Sequence, residues 1–322
     1  MLSEFDLIAR YFVRPGHPKN RATLGIGDDC ALLAQQDGMQ MAISSDMLVE
    51  GRHFFAGADP RKLGHKSLAV NLSDLAAMGA EPVAFTLAFS LPGAEENWLA
   101  EFSCGLFELA DAHSCELIGG DTTKGPLNIC ITVFGKTPTG EALRRDTAQA
   151  GDDIWVSGAL GDARLALGAL YKEYELDAKV LNKAEGRLHT PQPRVALGLA
   201  LRGIAHSALD VSDGLIGDLG HILKKSGVGA TLHVDDLPAG SMLQKQALDM
   251  RRRFTLAGGD DYELCFTAPV SKRETVLGAA LAADTVVTRI GSIEAASGLR
   301  LLDQAGRPLD LNISSFDHFA SP

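Results

Sequence analysis

The sequence predicts a two-domain protein that joins an α/β first half to an α+β second half. The chain, at 322 residues, exceeds one ordinary domain. Strand-like β-branched and apolar runs alternate with helical patterns between Met39 and Gly135. The pattern then restarts after the polar stretch Arg145–Gly151, so the domains are placed at 1–149 and 150–322.

A first helix over Glu4–Val13 puts Phe5, Ile8, Ala9 and Phe12 on one face, and the polar Arg14–Arg21 loop follows. Strands are expected at Met39–Ile43, Val83–Leu91, Glu116–Ile118 and Asn128–Gly135, with helices at Pro60–Met78 and Glu95–Ala112. The first of these helices is well bounded. Asp59 suits the N-cap, Pro60 the first helical position, and Gly79 with Pro82 the far end. Three- and four-residue spacing places Ser67, Asn71, Asp74 and Met78 on one face, beside Leu68, Leu72 and Leu75. A polar stripe in an otherwise apolar helix is read as facing a site.

The second half reads as a strand at 153–157, helices at 161–175, 179–187 and 193–202, a strand at 207–211 and a helix at 214–225. Further strands follow at 229–234, 262–267, 285–293 and 299–302, a mixed order that fits α+β better than a doubly wound sheet.

Composition narrows the function. The net charge of −11 argues against nucleic acid or an anionic membrane as partner, since both require a clustered Lys/Arg excess. The acidic start and the lack of a long uncharged apolar span predict a soluble, cytoplasmic protein. Five cysteines without a C-x-x-C pair suggest reduced, mostly buried thiols rather than a disulfide framework or a zinc site.

Five acidic clusters stand beside glycine or serine: Gly25-Ile26-Gly27-Asp28-Asp29, Ser44-Ser45-Asp46, Gly119-Gly120-Asp121-Thr122-Thr123, Asp210-Val211-Ser212-Asp213-Gly214 and Gly258-Gly259-Asp260-Asp261. Most border short apolar runs, so the acids are expected where strands give way to turns. Any one cluster is ordinary turn chemistry, and it is their recurrence that points to hard oxygen ligands for Mg²⁺. Mg²⁺ usually joins a few carboxylates to substrate phosphates, so a nucleotide partner is expected. His53 is a phosphate contact, a proton carrier or an ordinary loop histidine, and Arg145 is a phosphate clamp or a surface ion-pair partner.

Two familiar phosphate motifs are excluded. Gly135-Lys136-Thr137 lacks the earlier glycine of a P-loop, because Cys130 occupies that position. Gly25-x-Gly27 lacks the third glycine of a dinucleotide fingerprint and is followed by two acids.

Taken in order, Gly25–Ala31, Ser44–Asp46, His53-Phe54, Ala69–Ala80, Ile118–Thr123, Val211–Leu215 and Gly258–Leu264 closely resemble the bacterial thiamine-monophosphate kinases, and the likeness extends to Phe316–Phe319. The resemblance implies the two-domain fold of the aminoimidazole ribonucleotide synthetase superfamily, also called PurM-like, as a homodimer whose amino-terminal domains build a shared β-barrel. It implies phosphoryl transfer from ATP to thiamine monophosphate, giving thiamine diphosphate and ADP. By the same resemblance Asp29, Ser44, Ser45, Asp46, Asp74, Asp121, Asp210 and Asp213 would bind several Mg²⁺ ions. Gly120, Asp121, Arg145 and Ser212 would contact ATP, and His53, Asp260 and Phe316 the thiamine phosphate. Asp260 stands where such sequences often carry Glu, and Phe316 where they often carry Tyr.

The acceptor is itself a phosphate. With a second pKa of about 6 it is largely dianionic at neutral pH, so no general base is expected. Other ATP-using enzymes of the superfamily are the nearest rivals, but the reactive cysteine of selenophosphate synthetase or of the hydrogenase-maturation dehydratases is absent from 1–21 and 317–322. A non-catalytic nucleotide-binding protein is the rival from another class.

Overall fold

The computed structural model describes residues 4–15, 17, 21–27, 30–311 and 313. The chain divides into two units, Met1–Leu75 with Ala80–Gly140, and Ala76–Gly79 with Glu141–Pro322.

The first unit contains α1 (Glu4–Tyr11), β1 (Met39–Val49), α2 (Pro60–Ala77), β2 (Glu81–Leu91), α3 (Glu96–Ala112), β3 (Glu116–Lys124) and β4 (Asn128–Pro138). Its sheet has the order β1-β4-β2-β3, antiparallel except for the parallel β2–β3 pair. Asp59 caps α2 as expected, its Oδ1 accepting the Lys62 amide at 3.1 Å. Leu68, Leu72 and Leu75 of α2 and Leu99, Phe102 and Leu106 of α3 are buried, as are Phe85, Leu87 and Phe89 of β2 and Ile129, Ile131 and Val133 of β4. Phe89 stacks on Phe102 at 5.9 Å and meets Phe12 edge-on at 5.6 Å, which fixes both helices to the same side of the sheet. Leu7 of α1 and Phe12, just past its end, are buried, while Ala9 is exposed, against the face expected from spacing. In an eight-residue helix, packing against α3 and β3 outweighs periodicity.

The opposite side of β1 is bare. Met41, Ile43 and Met47 are 42%, 62% and 52% exposed, whereas Leu48 on the alternate face is 5% exposed, so the period-2 pattern has two apolar faces and, among the described residues, only one is covered.

The second unit contains β5 (Asp152–Ser157), α4 (Asp162–Leu170), α5 (Ala178–His189), α6 (Val195–Ala200), β6 (Ser207–Val211), α7 (Leu215–Ser226) and β7 (Gly229–His233). It continues with α8 (Leu248–Ala257), β8 (Glu263–Pro269), α9 (Arg273–Ala282), β9 (Val287–Glu294) and β10 (Gly298–Leu302). The sheet order is β10-β7-β9-β5-β8-β6, antiparallel except for β10–β7. Ile154, Val156, Leu209 and Val211 of the sheet pack with Leu215, Leu219 and Ile222 of α7. Helices α8 and α9 are absent from the sequence reading. Arg251-Arg252-Arg253 interrupts the apolar period of α8, and Gly278 among alanines weakens that of α9.

Asp153 in β5 is 2% exposed and takes Arg273 Nε at 2.6 Å and Nη2 at 2.8 Å. The Arg273 hydrogen bonds hold its carboxyl below the usual carboxylate range despite burial. A depressed folded-state value stabilises the protein above the unfolded value, about 3.9, and the contribution is lost as pH falls through the folded one. Arg273→Met is therefore expected to lower the urea midpoint at pH 7, with the deficit shrinking toward pH 3. A deficit independent of pH would refute this account.

Among the described residues, no helix is long and apolar enough to cross a membrane. Cys115 and Cys265 are buried, Cys104 and Cys130 half-buried, and Cys30 is exposed. Burial pushes the Cys115 thiol up to about 12, so it is inert at neutral pH.

Candidate functional site

In the first unit Asp46 and Asp121 lie within strands rather than at their ends. Ser44, Ser45 and Asp46 occupy the middle of β1, and Gly120 and Asp121 lie within β3. Both are edge strands, so a mid-strand carboxylate still has an open side.

Helix α2 reaches β1 through its polar stripe. Ser44 Oγ donates to Asp74 Oδ2 at 2.5 Å, and the Asp46 amide donates to Asn71 Oδ1 at 3.1 Å. Asn71 is itself 1% exposed and returns its Nδ2 to the Ser67 carbonyl at 3.0 Å, which locks the amide in one orientation. The helix thus holds Ser44, Asp46 and Asp74 together, as the three- and four-residue spacing predicts. Ser45 is different. Alternation turns its hydroxyl to the other face, where it donates to the Ile131 carbonyl at 3.1 Å and meets Thr132 Oγ1 at 3.0 Å. Only its backbone remains for an ion on the Ser44 side.

Asp121 stands on the far edge of the same sheet. Asp46 pairs with Ile131, Ile131 with Leu87, and Leu87 with Gly120, so Asp121 lies one row from Asp46 but about 14 Å away across three strand spacings. Gly120 has φ +150°, and a Cβ there would lie 1.8 Å from the Leu87 carbonyl oxygen. Glycine is required for β3 to approach β2 at this level. His53 closes the turn after β1, its Nδ1 accepting the Val49 amide at 3.0 Å. With Nδ1 accepting there, a neutral ring would carry its proton on Nε2.

In the second unit, Asp210 is the penultimate residue of β6, with 5% exposure, and Ser212 and Asp213 follow Val211 in the turn into α7. The turn is tied from two sides. The amides of Ser212, Asp213 and Gly214 donate to Asp218 Oδ2 at 3.0, 3.1 and 3.1 Å. The amides of Asp260 and Tyr262 donate to the carbonyls of Ser212 and Val211, each at 2.8 Å. Asp260 and Tyr262 have φ of +64° and +51°, left-handed values that this loop enforces. Burial pushes the Asp218 carboxyl up to about 6 against the pull of its amide donors.

The neighbouring acids are structural. Asp261 is buried and accepts the Gly161 amide at 2.9 and 3.0 Å, and burial pushes its carboxyl well above the usual range. Glu263, fully buried, accepts Arg187 Nη2, Arg194 Nε, Arg194 Nη2 and Ser157 Oγ, all at 2.6 Å. Arg145 is exposed and lies in the second unit, its carbonyl accepting Ser226 Oγ at 3.1 Å. Asp29 and Phe316 lie outside the described residues.

Among the described residues no group of three or more His, Cys, Asp or Glu side chains converges to hold a metal ion. The donors that do gather are carboxylates and hydroxyls, with no thiol or imidazole among them, the chemistry that suits Mg²⁺. Mg²⁺ keeps several waters and takes only one or two carboxylates beside substrate phosphates, so these small donor sets fit it.

Comparison with known proteins adds the family. Residues 27–137 match the AIR synthase related protein N-terminal domain, and residues 149–304 match the corresponding C-terminal domain. A thiamine-monophosphate kinase of Escherichia coli O157:H7 is 45% identical over 99% of this chain and 99% of its own. The chain belongs to the thiamine-monophosphate kinase family. Its fold is accordingly the two-domain PurM-like one. A thiamine-monophosphate kinase crystal structure from Stenotrophomonas maltophilia K279a is similar at 47% identity with TM-score 0.83, covering 88% of this chain and 92% of that one. A structure described as AaThiL complexed with AMPPCP and TMP matches at 25% identity and TM-score 0.76, covering 99% and 97%. Within this family frame, sequence reasoning missed Asp218 and Glu263. An acid in the first turn of α7, just after Ser-Asp-Gly, was a legible signal for Asp218. Glu263 meets Arg187 and Arg194 only through tertiary folding.

Proposed function

We propose that this chain phosphorylates thiamine monophosphate with ATP, giving thiamine diphosphate and ADP. The observation that carries the reading is 45% identity to a thiamine-monophosphate kinase over 99% of both chains. Phosphorus NMR of the protein with ATP, Mg²⁺ and thiamine monophosphate tests it. Thiamine diphosphate and ADP are expected only in the full mixture. ATP bound without diphosphate formed would leave a binding protein instead.

Ser44, Asp46 and Asp74 in the first unit and Asp210 and Asp213 in the second are the residues that would hold Mg²⁺, with Asp29, Asp121 and the Ser45 backbone completing the set. Mg²⁺ held there would supply charge neutralisation, since two unit charges 4 Å apart repel by roughly 1 kcal/mol even in water. The chain's own part is orientation. Asn71 fixes the Asp46 backbone, Ser44 fixes Asp74, and Asp218 fixes the turn that carries Ser212 and Asp213. Gly120, Asp121, Arg145 and Ser212 would contact ATP, and His53, Asp260 and Phe316 the thiamine phosphate. A dianionic acceptor needs no proton removed, so this reading requires no general base. Residues 1–149 are assigned ATP, metal and dimer contacts, and residues 150–322 the α+β domain. The charge of −11 supports small phosphates over a nucleic-acid or anionic-membrane partner.

The homodimer belongs to the same reading. Met41, Ile43 and Met47 leave an apolar sheet face uncovered between two edge strands. Asp46 and Asp121, about 14 Å apart in one copy, cannot share an ion whose bonds are about 2.1 Å. A barrel in which β1 of one copy adjoins β3 of the second would cover that face and bring together the two edge strands that carry these acids. Ile43→Glu is expected to give monomers in sedimentation equilibrium and to lower turnover. Monomeric wild-type protein with full activity would exclude the barrel.

A further inference from the structure

Resting on the magnesium role of Asp213 proposed above, we infer that Asp218 is a positioning residue that fills the amide cradle before α7, so that the turn presents Ser212 and Asp213 to a cation instead of offering its amides to a phosphate. An uncapped helix start is an anion site, because its amides point outward and its dipole favours negative charge. Here that site is occupied from within. One oxygen of Asp218, 6% exposed, takes three consecutive amides at 3.0–3.1 Å.

Two consequences follow from this geometry. With the amides turned inward, Ser212 and Asp213 are left to face solvent with their side chains, and both are half-buried rather than enclosed. The carboxylate also cancels the positive end of α7, so the field at Asp210 and Asp213 favours a metal ion. The Asp260 and Tyr262 amides hold the carbonyl side of the same turn, so removing Asp218 frees only its amide side. The turn is then expected to lose orientation without losing its attachment to β6 and β8.

The test compares Asp218→Ala, Asp218→Asn and Asp218→Glu with Asp213→Asn in the full chain. It follows Mn²⁺ binding by the paramagnetic resonance of free ion, and the Mg²⁺ dependence of turnover. Asp218→Ala is expected to weaken Mn²⁺ binding and raise the Mg²⁺ midpoint by about 10- to 100-fold, the usual effect of removing a group that orients a metal ligand. Asp218→Asn keeps an acceptor oxygen but loses the charge, so it should recover the part of the loss that comes from orientation of the turn. A purely structural role would lower the melting temperature and leave both metal readouts unmoved well below it. Should Asp218→Ala not fold, Asp218→Glu, which displaces the oxygen by one methylene, replaces it with the same expectation. Wild-type metal readouts in the folded variant, with Asp213→Asn shifted, would overturn this inference alone. An unshifted Asp213→Asn would overturn the metal role of Asp213, and the inference with it.

Discussion

Asp46→Asn and Asp121→Asn are each expected to lower kcat by about 100- to 1,000-fold, the effect of removing one preorganised electrostatic contact to a reacting group. The fold should survive both. Asp46 is held through its backbone amide, which the substitution leaves bound to Asn71, and Asp121 is exposed on an edge strand. Steady-state turnover across a magnesium titration is the measurement, with far-UV circular dichroism to verify folding. Loss in both variants would tie two acids on opposite sheet edges to one reaction. Wild-type turnover in either would remove that acid from the site.

Glu263→Gln is expected to destabilise the chain by about 3–5 kcal/mol, read from urea unfolding. The carboxylate is fully buried between Arg187 and Arg194, and a neutral amide would leave two guanidinium groups facing each other without a counter-charge. The loss should come from the unpaired cations more than from the missing hydrogen bonds. Replacing Glu263, Arg187 and Arg194 together with apolar residues of similar volume is therefore expected to recover most of it. A triple variant no more stable than Glu263→Gln would show that the hydrogen-bond geometry dominates.

Local signals were read well where they act locally. Asp59 caps α2 and Gly79 follows its end because capping and left-handed turns depend on a few adjacent residues. Asn71 and Asp74 share a face because helical spacing dictates it, and both reach β1. The strands were read too short at their acids. β1 and β3 continue through Asp46 and Asp121 because an edge strand tolerates charge on its open side, an allowance invisible without the strand order.

The sequence by itself determined the family and the chemistry. Gly-Asp and Ser-Asp clusters in a particular order are short-range patterns, and oxygen donors without thiols or imidazoles suit magnesium wherever they sit. Only the tertiary structure decided how those donors are aimed. It turns the Ser45 hydroxyl away from Ser44 by strand alternation and sets Asp46 and Asp121 on opposite edges. It seats Asp218 on three amides and buries Glu263 between two arginines distant in sequence. The physical reason is the range of the interactions. Motif chemistry resides in neighbouring residues, whereas orientation depends on hydrogen bonds and strand pairings that form only when remote segments pack.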